Sequence, residues 1–206
     1  MNKRDKQILN DLQRFRVLGR DDIVDLYFSH LKNPVTCANT VLKRLVRDKQ
    51  IEVSKHFTPY VYFLAGSGMK KNSTKIPHFL KLVEVYKQVL KYERVETFIV
   101  EPKYNKGLAE PDIFMVIKGT PFFVEVQRNV YSQKVMNQKI KRYEDLYYSN
   151  EFKKFPFVIM ISDTKYDIKT DLITFFQEKS IYDFMEKINK RKKEPKPIKE
   201  IRYKLG

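Results

Sequence analysis

Two acids, Asp112 and Glu125, lie inside otherwise apolar segments of the stretch AEPDIFMVIKGTPFFVEVQ, Ala109 to Gln127. Two carboxylates brought about 5 Å apart repel each other unless a proton or a cation intervenes. A hard divalent ion, magnesium or manganese, is the natural neutraliser, because it prefers oxygen ligands and activates water against a phosphodiester. Asp112 and Glu125 are therefore candidate metal ligands and catalytic acids, with Gln127 two residues further along the strand.

Convergence of the two acids depends on a hairpin. If Lys118 and Gly119 form a two-residue loop, Ile117 pairs with Thr120 and Asp112 falls opposite Glu125. Alternation then adds Gln127 to their face and sends Ile113, Met115, Ile117, Phe122, Val124 and Val126 to the other. A three-residue loop would slip the register by one and set Val126 against Asp112. Taken singly, Pro111-Asp112 also reads as a strand-entry turn, and Glu125 as an edge-strand acid facing water.

The elements that must hold this hairpin have the grammar of an α/β layer. Pro77 opens a helix with the core stripe Phe79, Leu82, Val83, Tyr86, Val89 and Leu90. Strands follow near 95–100, 112–117 and 122–126, then a helix over about 132–149 and the doubly apolar run FPFVIMIS, which suits a buried central strand. From about Thr170 to Lys190 the apolar spacing predicts one more helix.

The first 66 residues read differently. Ile8, Leu9, Leu12 and Phe15 recur at helical spacing over 5–18, and Asp21 or Asp22 can cap a short second helix. A third helix starts near Pro34 and runs to about Lys49 with Ala38, Val41, Leu42, Leu45 and Val46 inward. Two strands, 51–54 and 60–64, follow around a turn containing Pro59. This is the order of a winged helix, whose third helix enters the major groove while the hairpin touches the backbone. The outward face of the third helix presents Thr36, Asn39, Thr40, Lys43, Arg44 and Arg47, and the hairpin adds Lys55. These are candidate DNA-binding residues, since they mix base-reading amides and hydroxyls with phosphate-seeking cations. Protein docking is the competing use of such a domain.

Composition points to the same partner. Lys and Arg outnumber Asp and Glu by 41 to 25, a net charge of +16 that attracts polyanions. Apolar runs such as 157–161 are far short of the roughly 20 residues a spanning helix needs, so no membrane partner is expected. MNKRDKQ leads into an amphipathic segment, which predicts no secretory leader, and the lone Cys37 offers neither a disulfide framework nor a cysteine zinc site; a cytoplasmic location is expected. The Gly-, Ser- and Lys-rich segment within 67–75 reads as a linker between a domain over 1–66 and one over 76–190. A basic tail, 191–206, ends the chain; from Lys187 onward nine Lys or Arg stand against two Glu.

Pro111-Asp112, a hairpin and Glu125-Val126-Gln127 together resemble the PD-(D/E)xK nuclease-like signature. With the front winged helix and KIKRYEDL, Lys139 to Leu146, the layout over residues 5–165 resembles the replication-relaxation family of plasmids and mobile elements. The resemblance implies a mixed sheet flanked by helices, an α+β chain overall. In active nucleases of this type the third motif position is usually Lys, which orients water and stabilises phosphate charge. Gln127 supplies no charge there. Lys139 is a candidate substitute, one turn before Tyr143 where a branch of these nucleases carries Gln-x-x-x-Tyr; a solvated helix-edge lysine is its other reading. The first helix of the fold sometimes adds an acid, but Glu84 lies about 140° around the axis from Phe79, nearly opposite the core stripe. Glu110 should pair with Gln127 in the same register, and His78 reads first as a boundary histidine, although it resembles a position where this family often has His.

Three functions fit these readings. The leading expectation is a DNA-binding protein of a plasmid or mobile element acting in replication, relaxation or mobilisation, alongside other replication or mobilisation proteins. A magnesium- or manganese-dependent endonuclease or nickase is the second, and a winged-helix transcriptional repressor the third. Homodimerisation suits symmetric DNA sites.

Overall fold

The computed structural model describes residues 1–193, with side chains through Lys190. The expected basic tail, 191–206, therefore falls almost wholly outside the described residues.

Helix α1 (Lys3–Phe15) buries Ile8, Leu12 and Phe15, and is capped by the Asn2 side chain, which accepts from Asp5 N at 2.9 Å. The predicted helix over 5–18 ends early. Arg16 takes a left-handed backbone, φ 67°, and Leu18–Gly19 forms a short strand β1 that pairs with Val61 and Tyr62 of a later strand. The apolar spacing from Ile8 to Phe15 is kept within α1, while Val17 and Leu18 are fully buried beyond the helix end. Helix α2 (Arg20–Tyr27) begins at Gly19, with Asp22 inside its first turn accepting from Gly19 N at 3.0 Å. Helix α3 (Pro34–Arg47) has Pro at its start, and buries Ala38, Val41, Leu42 and Leu45. Strands β2 (Ile51–Ser54) and β3 (Val61–Leu64) pair antiparallel with Ser54 opposite Val61, and the three-stranded sheet runs β1-β3-β2.

Residues 65–75 carry neither helix nor strand. Beyond them, α4 (Ile76–Leu90), β4 (Thr97–Val100), β5 (Ile113–Ile117), β6 (Thr120–Val126), α5 (Gln133–Tyr148), β7 (Phe157–Ile161), β8 (Phe175–Glu178) and α6 (Ile181–Lys193) build a five-stranded mixed sheet in the order β4-β5-β6-β7-β8. Strands β4, β5 and β6 are antiparallel neighbours, whereas β6, β7 and β8 run parallel, with α5 as the crossover between β6 and β7. Ile113, Met115, Phe122 and Val124 join the core with α4 and α6; Phe123 and Val158 pack with Tyr143 and Leu146 of α5. The sheet is thus covered on both faces, as the doubly apolar β7 requires.

One predicted helix is corrected. Residues 175–178 form β8, parallel to β7, and α6 starts only at Ile181 behind Ser180, whose Oγ accepts from Asp183 N at 3.1 Å. Ile173 and Phe175 turn to the α5 face and Phe176 to the α4/α6 face, the alternation of a strand. Pairing also satisfies the edge of β7 that a helix would have left open.

The front and rear units share one hydrophobic cluster that runs from Ile8 to Met185. Phe15, Tyr86 and Phe98 meet with ring centroids 4.9–5.6 Å apart, and the Arg14 guanidinium stacks 4.4 Å over Tyr86. Around them Lys87 of α4 bonds Asp22 and Asp25 of α2 at 2.9 and 2.5 Å, and Arg16 bonds Glu101 at 3.0 Å. Any site on one unit is thereby held in a fixed relation to the other.

Candidate functional site

The hairpin turn decides the geometry of the acids. Lys118 and Gly119 both have positive φ, 50° and 67°, the signature of a type I′ turn, and Ile117 pairs with Thr120. The ladder runs from there to Ile113 opposite Val124, which puts Asp112 across from Glu125. Asp112 closes the end of the hairpin: its Oδ2 accepts from Val126 N at 2.7 Å, and its own carbonyl accepts from Glu101 N at 2.8 Å.

Each acid is then taken up by a different helix. Asp112 Oδ1 lies 3.3 Å from His78 Nε2 at the start of α4. That hydrogen bond raises the His78 pKa against the opposing effect of burial. Glu125 is 2% exposed and faces α5, where Lys139 Nζ donates to its Oε2 and Tyr143 Oη donates to its Oε1 at 2.6 Å. Lys139 and Tyr143 reach it together because residues four apart share a helix face. Burial pushes the Glu125 carboxyl up, with Lys139 pulling the other way; burial also works against the Lys139 ammonium, yet the Glu125 charge holds its pKa above the usual value. Taken alone, the Glu125 shift favours a neutral acid, whereas the Lys139 shift needs an ionised partner. The ionised pair is the state the geometry supports, since both Glu125 oxygens face donors and a carboxylate is acceptor-only. Tyr143 is raised well above its ordinary value, by burial first and the Glu125 charge second.

The remaining rear-unit candidates divide. Gln127 is engaged elsewhere: its amide donates to Asn129 O at 2.9 Å and to Tyr166 Oη at 2.5 Å, the same hydroxyl that accepts from Tyr131 N at 3.0 Å. It therefore anchors the loop after β6. Glu84 is exposed and bonded to Lys81 and Gln88, on the side away from the core stripe as its helical angle requires. Glu110 lies outside the β5-β6 ladder, so it does not pair with Gln127, and it bonds Lys103 at 2.8 Å.

Glu125, Tyr143 and Lys139 form the floor of a cleft of about 360 Å³ whose rim carries Glu110, Tyr131, Gln138 and Arg142. Asp112 does not line it. A magnesium or manganese ion fits this donor set poorly. All four carboxylate oxygens already face protein donors, and among the described residues no group of three His, Cys, Asp or Glu could hold a metal ion.

On the front unit, Thr36, Thr40, Lys43, Arg47 and Lys55 are exposed, and Asn39 is half-buried. Arg44 differs from its neighbours. Its guanidinium bonds Asp5 Oδ2 at 2.5 Å, and Asp5 is 1% exposed, so Arg44 ties α3 to α1. Two grooves flank α3. One, of about 580 Å³, runs between α3 and the β2-β3 hairpin and is lined by Asn39, Lys43 and Lys55 together with Arg20, Tyr60 and Tyr62. The other, of about 610 Å³, holds Arg4, Lys43, Arg44 and Arg47 beside α1. Sequence reasoning missed Arg20, Tyr60, Tyr131 and Arg142. Only Arg142 carried a readable signal, at three residues from Lys139 on a predicted helix.

No helix among the described residues is long and apolar enough to cross a membrane. Comparison of the chain with protein-family models, with curated proteins and with solved structures matched it to none of them.

Proposed function

We propose that the chain is a DNA-binding protein of a plasmid or mobile element, acting in replication, relaxation or mobilisation. In this reading the front unit is a winged helix and the rear unit a PD-(D/E)xK nuclease-like domain that makes a second contact with DNA. The observation that carries it is the α3 surface: a helix whose outward Thr, Asn, Lys and Arg side chains lie between two cation-lined grooves, one of them walled by a hairpin. The net charge of +16 supplies the attraction that brings a polyanion to it. Fluorescence anisotropy with duplex DNA tests the reading. Replacing Lys43 and Arg47 together by Ala should weaken binding about tenfold or more, as loss of two phosphate contacts requires. Unchanged affinity in that double variant contradicts it.

Metal-dependent cleavage is the second reading, favoured by one observation: the hairpin register sets Asp112 opposite Glu125. For magnesium or manganese to act, Asp112 and Glu125 would have to exchange His78 and Lys139 for the ion. Nicking of supercoiled plasmid in manganese, lost in Asp112→Ala, supports this second reading; intact plasmid at high protein and metal removes it.

A further inference from the structure

We propose that Lys139 is the resident cation of Glu125, and that the cleft above it binds the backbone of single-stranded DNA without a divalent metal. This deepens the reading of the rear unit as a second DNA contact and rests on it. The two halves of the ion pair are unequally exposed. The Lys139 side chain is 30% accessible, whereas the Glu125 side chain beneath it is 3% accessible and satisfied at both oxygens. The cleft therefore meets an ammonium first, with its counter-charge sealed below. A phosphodiester entering there gains a charge-assisted contact, and Glu125 continues to hold Lys139 in place.

The rim supplies the other components that a strand needs. Arg142, one turn along α5 from Lys139, lines the cleft, is exposed and has no ion-pair partner among the described residues. The single acid on the rim, Glu110, is neutralised by Lys103. Tyr131 is 39% exposed, and its backbone N donates to Tyr166, which anchors the segment that carries its ring to the cleft rim. Base stacking on an aromatic face flanked by cations is how strands are held without sequence preference. A base inside a duplex cannot offer its face to Tyr131, and a cleft of about 360 Å³ admits a segment of one strand and not a duplex, so the fitting ligand is single-stranded.

Two measurements on the full chain test this. Anisotropy of a short labelled oligothymidylate should give the same affinity in EDTA and in manganese, and about a fivefold loss in each of Arg142→Ala and Tyr131→Ala, both exposed positions. Calorimetric titration of manganese should show no binding to the wild type at micromolar concentration. Strand affinity that needs manganese, micromolar manganese binding abolished by Asp112→Asn, or full strand affinity in both rim variants would each overturn the proposal. Failure of the wider reading is seen separately, as loss of any effect of Lys43→Ala and Arg47→Ala on duplex binding.

Discussion

Among the described residues an acid is buried behind a cation twice, and the two pairs differ in what surrounds them. In the front unit the Asp5 carboxylate is held by Arg44, and its Oδ1 has no hydrogen-bond partner among the described residues. In the rear unit Glu125 is held by Lys139 and Tyr143, one donor to each oxygen. The first pair is a tether: it fixes α3 on α1 and draws one cation away from the outward face. The second is a complete network, and its cation is the part that meets the cleft. Each buried carboxylate depends on the donors it has, so losing either cation leaves a charge without its counter-ion.

Breaking the rear pair should produce the largest effect. Lys139→Met leaves an unpaired charge under the sheet and should cost about 3 kcal/mol in urea unfolding, while the double variant Glu125→Leu with Lys139→Met should recover most of that loss. The front pair should yield somewhat less, since the Arg44 side chain is 40% accessible and its removal admits water to Asp5: Arg44→Ala is expected to cost about 2–3 kcal/mol of stability and to weaken duplex binding as well. Lys43→Ala and Arg47→Ala should weaken binding with stability unchanged within about 0.5 kcal/mol, which separates the tether from its neighbours. His78 gives the smallest effect. Its pKa is raised in the fold by Asp112, so its contribution to stability is complete below about pH 6.5 and is lost as pH rises through the folded value. Unfolding free energies across that window should decline in the wild type and flatten in His78→Asn.

The same contrast explains how far the sequence could be read. The register that sets Asp112 opposite Glu125 was legible because Lys118-Gly119 admits a tight turn, and a strand's period of two carries it outward without further information. Helix α3 was legible for the same reason, since its start at Pro34 and its apolar stripe are local. What captures each acid is not local. Arg44 meets Asp5 across 39 positions of sequence, and His78 meets Asp112 across an element boundary, so neither pairing has a spacing rule. Segment 175–178 failed differently: its apolar residues suit a helix or a strand, and only the open edge of β7 selects the strand. Gln127 lay on a predicted strand face, yet Tyr166, 39 positions later, decided where its amide goes.

The salt dependence of duplex affinity is the most direct test of the central claim, that the outward face of α3 neutralises DNA phosphates. A plot of log affinity against log salt should fall steeply for the wild type, and the Lys43→Ala, Arg47→Ala double variant should be shallower by about 1.8, the release expected for two lost phosphate contacts. A wild-type affinity that does not change with salt, or a double variant with the wild-type slope, would contradict it.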